Sequence, residues 1–260
     1  MKKLINSTSS LWNYYFDFLN ISNGLNGFFN TVIIETTTYC NRRCSYCPNV
    51  NFDRGSRKNE ITLNPNLYYK IIDELSELKF SGKLLPHLYG EPLLDKRLPE
   101  MLGYAKKKLN DSMIAIHTNG DYLNEELIQK LAKNSVDAII ITEHGDKLRQ
   151  NLIDLKHKYS NQIKITYRPK TELELMNRGG AVDLSDYKRF KKCMYPSQAL
   201  TINALGKVVL CCNDYHGDYV FGDLQTETIL DIWNKQSFSK IRKQTKKGNF
   251  QLDICKKCTS

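Results

Sequence analysis

From residue 31 the chain alternates between short β-branched runs and longer stretches with apolar residues at helical spacing. TVIIE at 31–35 has a strand pattern. NPNLYYKIIDELSEL at 64–78 follows as a helix, with Asn64 placed to cap it and Pro65 at its first turn. KLLPHLY (83–89) reads as a second strand interrupted by Pro86, and DKRLPEMLGYAKKKL (95–109) as the next helix. MIAIHT (113–118), NEELIQKLAK (124–133), VDAIIIT (136–142), DKLRQNLIDLKHKY (146–159) and QIKITYR (162–168) continue the series. Strands alternating with helices of this length predict right-handed βαβ units on a parallel sheet. Five strands and four intervening helices are too few for a closed eight-fold barrel. The expected class is therefore α/β, an open partial (β/α) barrel of about five or six parallel strands.

After residue 170 the pattern changes. NRGGAVD (177–183) is an irregular Gly-rich loop, and ALTINALGKVVLCC (199–212) alternates around Gly206 as a hairpin does. ETILDIWNKQSFSKIRKQTK (227–246) predicts one amphipathic helix, and CKKC (255–258) comes last. The chain is expected to divide into an aromatic-rich helical extension (1–30, with Trp12, Tyr14, Tyr15, Phe16 and Phe18), a partial barrel (31–170) and a small hairpin-plus-helix module (171–260). The aromatic extension is expected to cap one end of the barrel, since burial is the commoner use of such residues.

Composition narrows the class. Of 260 residues, 41% are hydrophobic and 25% charged, which excludes disordered and collagen-like chains. No apolar run approaches the length of a membrane span. Asn6, Asn13, Asp17 and Asn20 interrupt any apolar core behind Lys2 and Lys3, so no export signal is expected and a cytoplasmic location is. The net charge of +10 suits a solvated Lys-rich exterior and leaves room for a phosphate-bearing substrate; nucleic acid and membrane are not expected partners.

Eight cysteines are too few for a disulfide scaffold, but they are clustered, and in a reducing compartment clustered thiols more often bind metal. Cys40, Cys44 and Cys47 form C-x3-C-x2-C directly after the first strand. Such a loop wraps one soft-metal centre. A four-iron cubane held by three thiolates leaves one iron for a non-protein ligand. The plainer alternative is a structural zinc loop. A second group comprises Cys193, Cys211, Cys212, Cys255 and Cys258, whose final C-x2-C could be half a zinc ribbon. Adjacent strand residues point to opposite faces. Cys211 and Cys212 therefore serve one cluster poorly together, leaving Cys193, Cys211, Cys255 and Cys258 as a closed ligand set with Cys212 spare.

Nine blocks in order, CNRRCSYCPN, HLYGEPLLDK, HTNGDYLNE, ITEHG, MNRGG, CMYPS, LGKVVLC, DIWNKQSF and CKKC, span residues 40 to 258. Through them the chain resembles the radical S-adenosylmethionine enzymes, with a C-terminal part similar to the twitch domain, the short relative of SPASM domains. Within the family it is most similar to dehydrogenases of an aminocyclitol alcohol. The resemblance implies S-adenosylmethionine and two [4Fe-4S] clusters, one open at Cys40, Cys44 and Cys47 and one auxiliary. It implies that Gly90, Glu91 and Pro92 meet the methionyl amine, and that Tyr46, Asn119 and Thr142 also contact the cofactor. Tyr89, His117, Cys212 and Asn213 would face a small-molecule alcohol. Arg178 would meet its hydroxyl, stabilising a developing alkoxide because a guanidinium stays protonated. An external one-electron reductant such as flavodoxin or ferredoxin is implied as a partner. His117 stands where those dehydrogenases have a tyrosine, and Cys212-Asn213 where they have Phe-Glu; a neutral Asn213 suits an amino substituent poorly. The expected substrate class therefore widens to a cyclitol, sugar or nucleotide-sugar alcohol oxidised to a ketone. Rival readings are a redox-neutral dehydratase or epimerase and a peptide-modifying enzyme, for which residues 1–30 are short as a leader-binding domain. A zinc-ribbon nucleic-acid-binding protein is the rival outside enzymes.

Overall fold

The computed structural model describes residues 28–259 except 146, 148 and 188; the expected N-terminal extension thus lies almost wholly outside the described residues. Among the described residues, eight strands form one open sheet in the order β5-β4-β3-β2-β1-β6-β7-β8. They are β1 (Thr31–Ile34), β2 (Lys83–Leu85), β3 (Met113–Thr118), β4 (Ala138–Thr142), β5 (Lys164–Arg168), β6 (Ala199–Ile202), β7 (Lys207–Val209) and β8 (Val220–Asp223). β1 to β6 are mutually parallel, whereas β7 and β8 join antiparallel.

Helices α1 (Pro65–Glu77), α2 (Leu98–Lys108), α3 (Glu125–Lys133) and α4 (Gln150–Lys158) connect the first five strands. Asn64 caps α1, its side chain accepting from the Asn66 and Leu67 amides, and Asn124 caps α3 through the Leu127 amide. The strand period of two divides the side chains between faces. Val32, Ile34, Leu84, Ile114, Ile116, Ile139, Ile141, Ile165, Leu200 and Ile202 enter the core beneath the helices. Their neighbours Ile33, Glu35, Leu85, His117, Thr142, Arg168 and Thr201 fall on the other face, inside the curve of the sheet.

Two sequence expectations change here. The 199–212 hairpin exists, but its first strand, β6, is also the sixth parallel strand of the core: Thr31 to Ile34 of β1 pair with Ala199 to Ile202. The 227–246 helix is two, α6 (Ile229–Asn234) and α7 (Gln236–Lys246), because Lys235 leaves helical geometry at φ −53°, ψ 132°. The short helix α5 (Tyr195–Gln198) precedes β6, and α8 (Asp253–Thr259) carries CKKC. At the N-terminal edge of the described chain, Phe29 meets Trp233 edge-on at 4.9 Å.

Candidate active site between two thiol groups

The loop after β1 carries Cys40, Cys44 and Cys47. It turns tightly, Cys47 N–H donating to the Cys44 carbonyl at 2.9 Å, and Cys40 N–H ties it to Gly55 at 3.1 Å. Burial pushes all three thiols up, Cys40 to about 11, and the other thiols of the group add to the shift of Cys40. Bare protein therefore holds them protonated, and a metal centre reverses this by taking thiolates as ligands.

Ion pairs brace this loop against the ends of β3 and β4. Asp121 accepts from Asn41 at 2.7 Å, from Arg42 at 2.7 and 2.5 Å, and from Arg149 at 2.7 Å. Arg149 also reaches Glu143 at 2.7 Å. Burial works against the Glu143 charge, but Tyr167, the Gly145 amide and Arg149 overcome it and lower its pKa to about 2. Asp121 and Glu143 lie in the HTNGDYLNE and ITEHG blocks, but a polar turn after a strand is too weak a signal to give either a role, and no motif marks Arg149.

The segment after β2 closes over the same loop. Glu91 N–H donates to Tyr39 at 2.8 Å, and a Cβ on Gly90 would stand 1.9 Å from the Thr37 carbonyl oxygen, so only glycine permits this approach. The buried Glu91 carboxylate accepts from Thr118, the Asn119 amide and the Leu93 amide, and Pro92 opens a 3-10 turn behind it. Asn119 also donates to Asn41 at 2.9 Å. Gly90, Glu91, Pro92 and Asn119 are thereby brought to the thiol loop. Tyr46 reaches across to hydrogen-bond His144. Thr142 ends β4 opposite Arg168.

The second thiol group assembles from three segments. Cys193 precedes α5, Cys211 and Cys212 follow β7, and Cys255 and Cys258 lie on α8. Burial raises every one of these thiols, Cys193 to about 11 and Cys255 to about 12. Cys193 and Cys258 contribute to the shift of Cys211, and the same two to that of Cys255. Among the described residues no three such side chains converge closely enough to hold a single ion. A cubane needs no such convergence, since each thiolate binds its own iron, whereas zinc does. The donor chemistry of both groups fits clusters.

Arg178 lies between the two groups. It occupies a left-handed turn, φ 51°, followed by Gly179 and Gly180 at φ 67° and 85°. A Cβ on Gly179 would come within 2.3 Å of Ile254, so the turn seats directly on α8. Asn177 donates to the Lys257 carbonyl at 2.6 Å. The Arg178 guanidinium donates to Asn213 at 3.3 Å and sits over the Tyr89 ring at 5.9 Å. Burial raises Cys47 on one side and Cys212 and Cys258 on the other, and the Arg178 charge opposes that rise at all three. Asn213 is buried and approaches Cys258 Sγ at 3.5 Å. Tyr89 donates its hydroxyl to the Cys212 carbonyl at 2.7 Å. Tyr89, Arg178, Cys212 and Asn213 thus converge, while His117 stands one strand away on β3, stacked against His87. Sequence reading missed His87, which follows Pro86 where the strand pattern ends. It also missed the buried Glu35–Arg54 pair, in which Glu35 accepts from the Tyr89 and Ala204 amides as well.

Residues 34–168 match the Radical SAM superfamily, and residues 193–259 match SPASM, an iron-sulfur cluster-binding domain. The chain is 32% identical over 244 residues to the S-adenosyl-L-methionine-dependent 2-deoxy-scyllo-inosamine dehydrogenase of Niallia circulans, covering 89% of this chain and 93% of that protein. A nucleotide dehydratase of Fibrobacter is 34% identical, over only 36% of this chain and 28% of its own length. Among solved structures, BtrN in complex with AdoMet and 2-DOIA superposes with a TM-score of 0.81 at 33% identity, covering 90% of this chain and 94% of that one. BtrN in an open conformation gives 0.69 at 29% identity, covering 90% and 93%. Membership brings S-adenosylmethionine, a [4Fe-4S] cluster and an auxiliary iron–sulfur domain. The chain belongs to the radical S-adenosylmethionine superfamily, with a SPASM-type domain at its C-terminal end.

Proposed function

We propose that this protein oxidises a secondary alcohol of a cyclitol or related sugar to a ketone. The observation that carries the reading is the convergence of Tyr89, Arg178, Cys212 and Asn213 between two separate thiol groups. Cys40, Cys44 and Cys47 would hold the cluster that, with S-adenosylmethionine, would supply radical abstraction of a carbinol hydrogen, and Cys193, Cys211, Cys255 and Cys258 would hold an auxiliary cluster able to take up an electron. The protein's own residues bind and orient. Gly90 lets the backbone approach closely, Glu91 and Asn119 shape the site of the methionyl group, and Tyr46 and Thr142 flank it. Arg178 and Asn213 address the substrate oxygen, with Tyr89, His117 and Cys212 around the ring.

We further assign the partial barrel to residues 31–170 together with strand β6, which it shares with the auxiliary module at 171–260, the first electron coming from a flavodoxin- or ferredoxin-like reductant in the cytoplasm. Among the described residues no helix is long and apolar enough to cross a membrane. The charge of +10 accommodates a phosphorylated substrate. The test uses 2-deoxy-scyllo-inosamine deuterated at its carbinol carbons, incubated with anaerobically purified protein, S-adenosylmethionine and dithionite. Deuterium is expected in 5′-deoxyadenosine together with a ketone. Uncoupled 5′-deoxyadenosine without deuterium, for this probe and for deuterated inositols alike, overturns the reading.

A further inference from the structure

His87 and His117 stack inside the sheet with ring centroids 4.6 Å apart and planes inclined at 34°. His117 lies on the inward face of β3, and His87 is two residues beyond the end of β2, so extending the β2–β3 register sets them side by side. Nδ1 of His87 is buried and has no hydrogen-bond partner among the described residues. Nε of Arg178 is in the same condition, and the Arg178 charge bears on the His87 ring. Two orphaned polar atoms in one interior region cost stability unless a ligand satisfies them.

Their chemistry says which ligand. A guanidinium only donates, while an unprotonated imidazole nitrogen accepts. A hydroxyl both accepts and donates, so one alcohol group has the chemistry to serve both atoms. We propose that His87 takes the hydroxyl proton of the substrate alcohol, with Arg178 donating to the same oxygen and His117 holding the His87 ring in place. The proposal rests on the dehydrogenase reading above.

The surroundings keep His87 ready to accept. Burial, then His117 and Arg178, hold its pKa well below the ordinary histidine range. His117 is itself lowered to about 4 by burial, with Arg168 of β5 and Lys83 of β2 adding to the effect. His87 is thus a weak base. That is sufficient, because an α-hydroxy carbon radical is far more acidic than its parent alcohol. In the step, the carbinol hydrogen atom has already left with the radical that the activity supplies. The O–H bond then breaks, its proton goes to His87 Nδ1 and its electron pair remains on oxygen. One electron leaves to the oxidant of the same activity, and the C=O π bond forms. The imidazolium left beside Arg178 is disfavoured by burial and that charge, and returns to the neutral ring by losing its proton to solvent as the ketone leaves. Arg178 cannot act in this way, since a guanidinium stays protonated and has no acceptor site.

The test compares parent protein with His87→Ala and His87→Gln, using the deuterated 2-deoxy-scyllo-inosamine above. Both variants are expected to place deuterium in 5′-deoxyadenosine, while ketone formed per 5′-deoxyadenosine falls at least tenfold. Imidazole is expected to restore His87→Ala but not His87→Gln. In the parent, ketone per 5′-deoxyadenosine is expected to fall as pH drops through the His87 pKa, and this limb disappears in both variants. Glutamine fills the site, so His87→Gln carries the comparison if the alanine variant does not fold. Independently of turnover, the 15N spectrum of histidine-labelled protein is expected to show His87 Nδ1 unprotonated at neutral pH. Unchanged ketone yield with an unchanged pH profile, or a protonated Nδ1, overturns the proposal. Absence of deuterium transfer in the parent overturns the dehydrogenase reading, and this one with it.

Discussion

The two thiol groups are built in opposite ways. The first comes from eight consecutive residues, Cys40 to Cys47, held by a web of charges: Asp121 between Arg42 and Arg149, with Glu143 beyond. The second gathers thiols from three segments far apart in sequence, and packing holds it. Gly179 lies against Ile254, Gly180 against Lys257, and Asn177 bonds the last helix. A local loop can hold its ligands before the rest of the chain is in place, whereas the distant group exists only once α8 has docked on the Arg178 turn. Loop closure over such separations costs entropy that the local group avoids.

The sharpest break of this comparison removes one thiol from each group. Cys44→Ala is expected to abolish 5′-deoxyadenosine formation and leave about four of about eight irons, as two independent clusters require. Cys255→Ala is expected to lose about four irons as well, yet keep 5′-deoxyadenosine formation and lose the ketone. Iron and sulfide analysis alongside product chromatography checks both; stoichiometric zinc in either group contradicts the assignment.

Next in size are two glycines. Gly90→Ala drives a Cβ into the Thr37 backbone, which cannot move without displacing the thiol loop, and about 3 kcal/mol of stability is expected to go. Gly179→Ala clashes with the Ile254 side chain and merely touches the Asn213 carbonyl, although at φ 67°, so about 1–2 kcal/mol is expected. Denaturant unfolding measures both, and equal costs would mean that the two regions are equally rigid.

Acid should separate the regions by sign. Glu143 and Asp121 have pKa values lowered in the fold, Glu143 to about 2. Their contribution is complete above the unfolded carboxylate pKa, near 4, and is lost as pH falls toward about 2. Asp214, next to the Cys211 turn, is raised by burial despite accepting from the Asp218 and Tyr219 amides. Its protonation therefore favours the fold as pH falls. In apoprotein at about pH 3, hydrogen exchange is expected to quicken at residues 40–47 and 119–123 by the equivalent of about 2 kcal/mol, and to hold steady at 213–219. Parallel loosening would show that the charges do not set the difference.

The same contrast explains what the sequence made legible. Most of what is local could be read: the alternation of five strands and four helices, the cap Asn64, and the three-thiol loop all lie within a few residues of the pattern that signals them. What failed was mainly non-local. ALTI at 199–202 reads as half of a hairpin, and nothing in those four residues says that β1 is its other neighbour. Helical spacing runs unbroken through Lys235, where the backbone turns. His87 sits behind a proline that ends the strand pattern, and only the register places it against His117. Glu35 and Arg54 lie 19 residues apart with no shared motif. Partners across a sheet are chosen by complementarity that one segment does not carry.

The smallest effect tests the seam between the two regions. Glu74 on α1 accepts the Ile229 amide at 2.7 Å, serving as a cap for α6 from a different element. Lys70, paired to Glu74 at 2.6 Å, donates to the Leu224 and Glu227 carbonyls at 2.8 and 3.1 Å. Glu74→Ala leaves the α6 amide without its acceptor and Lys70 without its carboxylate, a loss of about 1 kcal/mol. If the C-terminal part is held by packing and the core strands by their own ladder, the loss should appear as faster exchange at the α6 amides, with β1 to β5 unaffected. Glu74→Gln keeps an acceptor for the amide and should lose less. Exchange that quickens evenly through β6, β1 and α6 would instead mean that the shared strand β6 makes core and cluster module a single cooperative unit.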